Sequence, residues 1–208
     1  MKILVIGATG LTGKFAVKKL LARGHEVTAF ARKAADVTEA HEHLTVVEGD
    51  ARNQESVDRA CAGQEAVLVT FGPRSLQKDD LQEAFARNLI IAMKKANVKR
   101  LVELSAWGAG SSRPQMKFVF KIIRNTFLKN MFDDKERGEE LLTKSDLEWT
   151  LARPGRLKDD PARGGIKASL DGNGITAWMN REDVADFMCD EIEKNMWVRH
   201  APLIGYAH

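Results

Sequence analysis

A doubly wound α/β fold, with a mostly parallel sheet covered by helices on both faces, is predicted by three observations. The chain opens on a continuous apolar run, Ile3-Leu4-Val5-Ile6, as a strand buried on both faces does. That run breaks at a turn with glycines at 7, 10 and 13. It reopens at helical spacing through Leu11, Phe15, Ala16, Leu20 and Leu21. Short apolar runs and helical periods then alternate to the end of the chain, the mark of successive strand–helix–strand crossovers.

The elements follow in order. A second strand covers residues 25–32 and a short third covers 44–48, leading into Gly49-Asp50-Ala51. A helix over 53–61 takes Asn53 as its N-cap. The fourth strand, 66–70, ends at Phe71-Gly72-Pro73. A long helix over 80–96 carries Leu81, Ala84, Phe85, Leu89 and Met93 on one face. The fifth strand is 100–105. A Gly/Ser-rich stretch, 108–112, closed by Pro114, reads either as a mobile lid or as a linker. Helices over 116–131 and 133–143 precede a sixth strand, 148–153, stopped by Pro154.

From about residue 155 the pattern becomes irregular, and a small C-terminal lobe is expected there. Residues 166–170 alternate like a strand, and Asp171-Gly172-Asn173-Gly174 is a turn signal. Residues 175–179 either pair back or cross the face of the sheet. Asn180 is expected to cap a helix with Asp183 three residues on, and a last strand, 203–205, to join the sheet edge.

Size and composition agree with one domain over residues 1–208. The chain has 208 residues, 44% apolar and 29% charged, with a net charge of +3. The basic residues are dispersed and form no nucleic-acid signature. No apolar run approaches membrane-spanning length and residue 1 leads straight into a strand, so a cytoplasmic location without membrane association is expected. Cys61 and Cys189 read as buried apolar residues, and His41 and His43 as loop residues without a third metal ligand.

The glycine spacing gives the first strand–helix junction a chemical meaning. Gly7 permits the tight turn, Gly10 lets a diphosphate reach bare backbone, and Gly13 lets the helix pack on the strand. Amides at the helix start and the positive end of its dipole suit phosphate. A dinucleotide is therefore the expected ligand. Sites that prefer NAD place an acid near the end of the second strand. Here Phe30 and Ala31 stand there, followed by Arg32 and Lys33, which favours a 2′-phosphate and hence NADP(H). The bland reading leaves Arg32 and Lys33 as solvated loop charges. Thr12 offers one further hydroxyl.

Taken together, these residues resemble the atypical short-chain dehydrogenase/reductase superfamily, in its NmrA-like NAD(P)H-binding branch. The resemblance runs closest to flavin reductase and biliverdin reductase B-type proteins. It rests on Gly7-Ala8-Thr9-Gly10-Leu11-Thr12-Gly13, Gly49-Asp50-Ala51, the stretches 88–94 and 98–102, Leu147-Glu148-Trp149-Thr150-Leu151-Ala152-Arg153-Pro154, 170–174 and Glu182-Asp183-Val184-Ala185. It implies a Rossmann-type sheet in which Gly7, Thr9, Gly10, Leu11 and Thr12 wrap the diphosphate and Arg32 meets the 2′-phosphate. It also implies Asp50 and Ala51 beside the adenine, and Phe71 and Gly72 beside its ribose. Ser105, Ala106, Pro154, Gly155 and Arg156 would lie near the nicotinamide.

One part of that pattern is missing. The superfamily's Tyr-x-x-x-Lys pair has no counterpart, since the only tyrosine is Tyr206 near the C-terminus. Ser105 is either a catalytic hydroxyl or a loop cap. Lys135, with Glu139 one turn on, is either a catalytic remnant or half of an i,i+4 ion pair on a wet helix face. The stretch 116–124 reads as a basic amphipathic helix, either packed on the sheet with its lysines at the wet edge or facing a membrane surface or a partner groove. Phe118, Phe120 and Trp107 are candidate walls for an acceptor. Trp178 and Trp197 belong either to the core or to a dimer contact.

Hydride transfer to a flavin or quinone needs no dedicated protein acid, so an NADP(H)-dependent reductase of a planar small-molecule acceptor, monomeric or homodimeric, is the expected function. A non-catalytic NADP-binding sensor or assembly protein is the alternative. A sugar-nucleotide epimerase or dehydratase is a third, with little chain left for a substrate domain.

Overall fold

The structure, a computed structural model, describes residues 1–72, 77–116 and 118–208. Pro73 and Lys117, which fall in two of the expected elements, lie outside the described residues.

The strands and helices are β1 (Lys2–Ile6), α1 (Gly13–Ala22), β2 (Glu26–Ala31), β3 (Leu44–Glu48), α2 (Gln54–Cys61), β4 (Ala66–Val69), α3 (Leu81–Lys95), β5 (Arg100–Leu104), α4 (Phe118–Thr126), α5 (Lys129–Thr143), β6 (Glu148–Pro154), β7 (Arg156–Lys158), β8 (Ile166–Ser169), β9 (Trp178–Asn180), α6 (Arg181–Lys194) and β10 (Leu203–Tyr206). Eight strands form one sheet in the order β3-β2-β1-β4-β5-β6-β10-β8. Its pairings are parallel except β10–β8. The predicted doubly wound α/β class holds. The last strand does not lie at the edge: β10 sits between β6 and β8, and β8 takes the edge. β7 and β9 form a separate parallel pair.

Each face of the sheet carries its own core. Val5, Ala16, Leu20, Val184 and Met188 pack beneath α1 and α6; Leu4, Val67, Phe85, Leu89, Leu101 and Leu142 pack beneath α2, α3 and α5. Alternation along each strand sends one set of side chains to each face, and burial of both explains the unbroken apolar runs. Leu11 and Phe15 depart from the expected buried stripe. They are 65% and 36% exposed because α1 docks through Ala16, Val17, Leu20 and Leu21.

Local signals decide the ends of several elements. Asn53 caps α2 as expected, its side chain accepting from Ser56 N at 2.8 Å. Asn180 precedes α6 without capping it through its side chain; its Nδ2 donates to Pro161 O at 2.8 Å. Asp183 turns away from the helix to accept from Arg163 N, Gly164 N and Tyr206 Oη. The 108–112 stretch is neither a free lid nor a linker. It runs into a 3₁₀ turn, Gly110–Gln115, pinned by Ser112 Oγ donating to Ala109 O and by Arg153 donating to Ser111 Oγ.

α4 inverts its expected orientation. Phe118, Phe120 and Ile122 are 76%, 50% and 49% exposed, whereas Arg124 is buried. The helix rests chiefly on α5. Glu136 and Asp133 hold the Arg124 guanidinium at 2.7 and 3.4 Å while it lies over the Phe132 ring. Pairing a cation inside thus outweighed burial of the aromatic face. Phe118 and Phe120 therefore stand in solvent and wall nothing. Trp178 and Trp197 both pack against the α1–α6 core.

Candidate functional site

The order β3-β2-β1-β4 reverses direction between β1 and β4, where an open α/β sheet leaves a crevice at its carboxyl ends. The 7–13 turn crosses that crevice. Gly7 adopts φ +85°, and a Cβ there would meet Phe71 N at 2.7 Å, so only glycine fits. A Cβ on Gly13 would overlap Gly7 O and approach Thr70 Oγ1 to 2.7 Å, which is the close helix–strand packing the spacing predicted. Gly10 donates its own N–H to Gly7 O at 2.9 Å, and a Cβ there would meet that same carbonyl at 3.1 Å. The amides of Leu11 and Thr12 meet no acceptor among the described residues, and no side chain caps α1. Uncapped amides at a helix start are anion ligands in waiting.

A cleft of about 220 Å³ opens beside this turn. Gly7, Thr9, Arg32, Asp50, Ala51, Phe71 and Gly72 line it, so seven of the expected coenzyme residues, drawn from four loops, come together. Phe71 is fixed by an edge-to-face contact with Phe85, ring centroids 4.8 Å apart. Arg32 stands exposed just past β2, in reach of a group bound there. Sequence reasoning missed Arg52, which also lines the cleft and is held by Asp79 and Asp80 at 2.5 and 2.6 Å. Those two partners lie far along the chain, and no local pattern announces them. The glycine cradle and the free amides suit a diphosphate beside this cleft, with Gly7, Thr9, Leu11 and Thr12 as the residues that would hold it.

The remaining candidates lie apart, at the carboxyl ends of β5 and β6. Ser105 is buried, and its Oγ donates a short hydrogen bond to Glu139. Arg153 donates to Glu139 through Nε at 3.2 Å and through Nη2 at 2.7 Å. The Ser105 hydroxyl is therefore held from below by a carboxylate and is no loop cap. Lys135 and Glu139 are only 6% and 2% exposed, which overturns the reading of a wet i,i+4 pair. Lys135 Nζ donates to Leu104 O at 3.2 Å and leaves Glu139 to Arg153. Gly155 answers to packing, since a Cβ there would overlap Ala177 O, and Arg156 is an exposed residue of β7. Ala106 is half-buried between Ser105 and Trp107, whose N–H donates to Pro154 O at 2.8 Å. Tyr206 contributes nothing here: its hydroxyl donates to Asp183 at 2.6 Å and accepts from Asn180 N at 2.9 Å.

Glu103 completes the buried cluster. Its burial raises the carboxyl to about 7, with nearby Lys135 opposing the rise and Glu139 adding to it. Between pH 4.5, the ordinary glutamate value, and about 7 the folded chain keeps a proton that the unfolded chain has released. Stability therefore falls as pH rises through that window, by about 1.4 kcal/mol per pH unit. Urea unfolding of parent and Glu103→Gln at pH 5, 6, 7 and 8 should show this slope in the parent and not in the variant; equal slopes would refute it.

Comparison with known proteins supplies the family. The family model described as NAD(P)H-binding matches residues 7–195. The chain belongs to the NAD(P)H-binding family. Sterol demethylase protein B of Methylococcus capsulatus is 38% identical over 123 residues, which are 55% of this chain and 37% of that protein. Among solved structures, the oxidoreductase ylbE of Lactococcus lactis superposes with a TM-score of 0.85 at 26% identity, covering 100% of this chain and 91% of that one. A short-chain dehydrogenase/reductase of Veillonella parvula, solved in complex with NADP, has a TM-score of 0.82 at 18% identity, covering 98% and 94%. The chain thus joins the NAD(P)H-binding family to a Rossmann-like sheet. Among the described residues no helix is long and apolar enough to cross a membrane.

Proposed function

We propose that this NAD(P)H-binding protein is an NADP(H)-dependent reductase that passes a hydride to a planar acceptor of the flavin or quinone type. The observation that carries the reading is the composition of the β1–β4 crevice. Its diphosphate end is bare backbone, and the end of β2 offers Arg32 where a ribose-binding acid would select NAD. The likeness to the oxidoreductase ylbE supports the reaction class.

The bound coenzyme would supply the hydride. The chain's task is to bind, orient and exclude water. Amides of the 7–13 turn hold the diphosphate, Arg32 pairs with the 2′-phosphate, and Phe71 and Ala51 flank the adenosine. Ser105 and Ala106, past β5, border the nicotinamide end. No tyrosine acid stands there, since Tyr206 is committed to Asp183. A flavin or quinone takes its proton from solvent, so the loss does not stop the reaction.

NADPH oxidation assayed with FMN, riboflavin and menadione tests this directly; absence of turnover with all three would overturn it. Arg32→Ala should lower NADPH affinity by about 1.5–3 kcal/mol, roughly 10- to 100-fold, and spare NADH. Equal losses for both coenzymes, measured by fluorescence titration, would remove Arg32 from that role. The exposed face of α4, with Phe118 and Phe120 76% and 50% exposed, favours the second reading, a coenzyme-binding protein that docks a protein partner. That reading predicts tight NADPH binding without turnover.

A further inference from the structure

We infer that a second cavity, between the 110–115 turn and α4, binds an oxyanion, and that it receives a phosphate or carboxylate carried by the acceptor. The second half of this statement rests on the reductase reading; the first does not. The cavity measures about 430 Å³, and Arg113, Lys121 and Arg124 all line it with Ser111 and Asn125. Three cations facing one space need anions in or around it. Arg124 has its own, Glu136 and Asp133 at 2.7 and 3.4 Å. Arg113 and Lys121 have none: neither forms an ion pair among the described residues, and Arg113 reaches only the neutral Asn125 Oδ1 at 3.2 Å. Arg124 donates to that same amide oxygen at 3.1 Å, so two guanidinium groups converge on one uncharged acceptor. Two like charges sharing one neutral acceptor repel each other, and an anion between them would relieve that repulsion.

Arg124 supplies an independent sign of a ligand. It is 2% exposed and its Nε has no hydrogen-bond partner. Buried guanidinium donors are rarely left unmatched, and this one borders the cavity, where a bound anion could meet it. Ser111 adds a donor. Its Oγ accepts from Arg153 Nη1 at 2.8 Å, which leaves its own O–H free to point at an anion.

The cavity also adjoins the Ser105 cluster. A Cβ on Gly110, which lines the cavity, would come within 2.7 Å of both Arg153 Nη2 and Glu139 Oε2. The wall of the anion cavity is therefore the far side of the group that holds Ser105. An acceptor whose reducible ring lay at the ends of β5 and β6 would place a charged substituent there.

Two measurements on protein saturated with NADP⁺, so that the 7–13 turn is occupied, decide the matter. Inorganic phosphate titrated calorimetrically should bind the parent and not the Arg113→Ala/Lys121→Ala double variant, whose melting temperature checks folding. Failure to bind the parent, or equal binding to the variant, overturns the site. FMN and riboflavin share one ring and differ by a phosphate. By quenching of flavin fluorescence, the parent should bind FMN about tenfold more tightly than riboflavin, and the double variant should bring the two to within about twofold. Phosphate binding with no difference between the flavins would overturn the acceptor's use of the site. Phosphate binding and the flavin preference without NADPH turnover would refute the reductase reading and leave the anion site standing.

Discussion

Gly13→Ala is expected to weaken NADPH binding on the order of 100-fold and to lower folding stability by about 3 kcal/mol. The added methyl would overlap Gly7 O and press on Thr70 Oγ1, both parts of the turn and of the strand beneath it. Thr70 Oγ1 donates to Ile6 O and Gly7 O at 3.2 and 3.1 Å and so fixes the same carbonyl that the methyl would displace. Relief requires α1 to lift from β1 or the turn to open, and either motion moves the Leu11 and Thr12 amides off the diphosphate. Gly24→Ala serves as the control. Gly24 lies at φ +81° with nothing within 4 Å, so that variant suffers backbone strain alone, about 1 kcal/mol, with NADPH affinity unchanged. Urea unfolding and fluorescence titration check both. Gly13→Ala that binds NADPH like the parent would show that the turn does not set the grip.

The crevice half of the candidate site was legible, in that the expected residues do share one cleft, because its signals are local. Gly7 and Gly13 mark a turn whose geometry needs them, Asn53 caps α2, and Phe71, Asp50 and Arg32 each follow a strand whose apolar run can be read directly. Strand ends converge on one crevice in this topology, so reading each strand end locates its loop. The second half was not legible. Asp133-Asp134-Lys135-Glu136-Arg137 looks like a solvated helix face, yet Asp134 and Lys135 are buried: Asp134 accepts from Gln82 N at 2.9 Å, and Lys135 reaches Leu104 O. What decides their burial is the packing of α5 against α3 and β5, contacts across many tens of residues that no periodicity encodes. The 116–124 helix misled in the same way: its apolar face was expected on the sheet, and the burial of Arg124 among partners on α5 is not written in its periodicity. The placement of β10 between β6 and β8 likewise depends on a long-range pairing. Charge clusters assembled from several elements are the weak point of sequence reading, and both unexpected features of this protein, the Ser105 clamp and the anion cavity, are of that kind.

Glu139→Ala should therefore cost more than any surface substitution of a charge, about 3–5 kcal/mol, because it strands a cation in the interior. Arg153 is 3% exposed, and two of its three guanidinium nitrogens donate to Glu139; the third donates to Ser111 Oγ. Removing the carboxylate leaves that guanidinium with one neutral partner in a dry site. Removing both charges tells the loss of pairing from the loss of packing: Glu139→Leu combined with Arg153→Met should recover most of the stability, since an apolar pair of similar volume replaces the buried ions. The function should divide along the same line. Glu139→Ala frees the Ser105 hydroxyl from its acceptor, so turnover with flavin or quinone should fall while NADPH affinity, set by the 7–13 turn and Arg32, stays within about twofold of the parent. Urea midpoints at constant m-value and paired titrations of coenzyme and acceptor read these outcomes. A stable Glu139→Ala protein, or one that loses NADPH binding in step with turnover, would mean that the clamp and the coenzyme crevice are not the separate units the geometry draws.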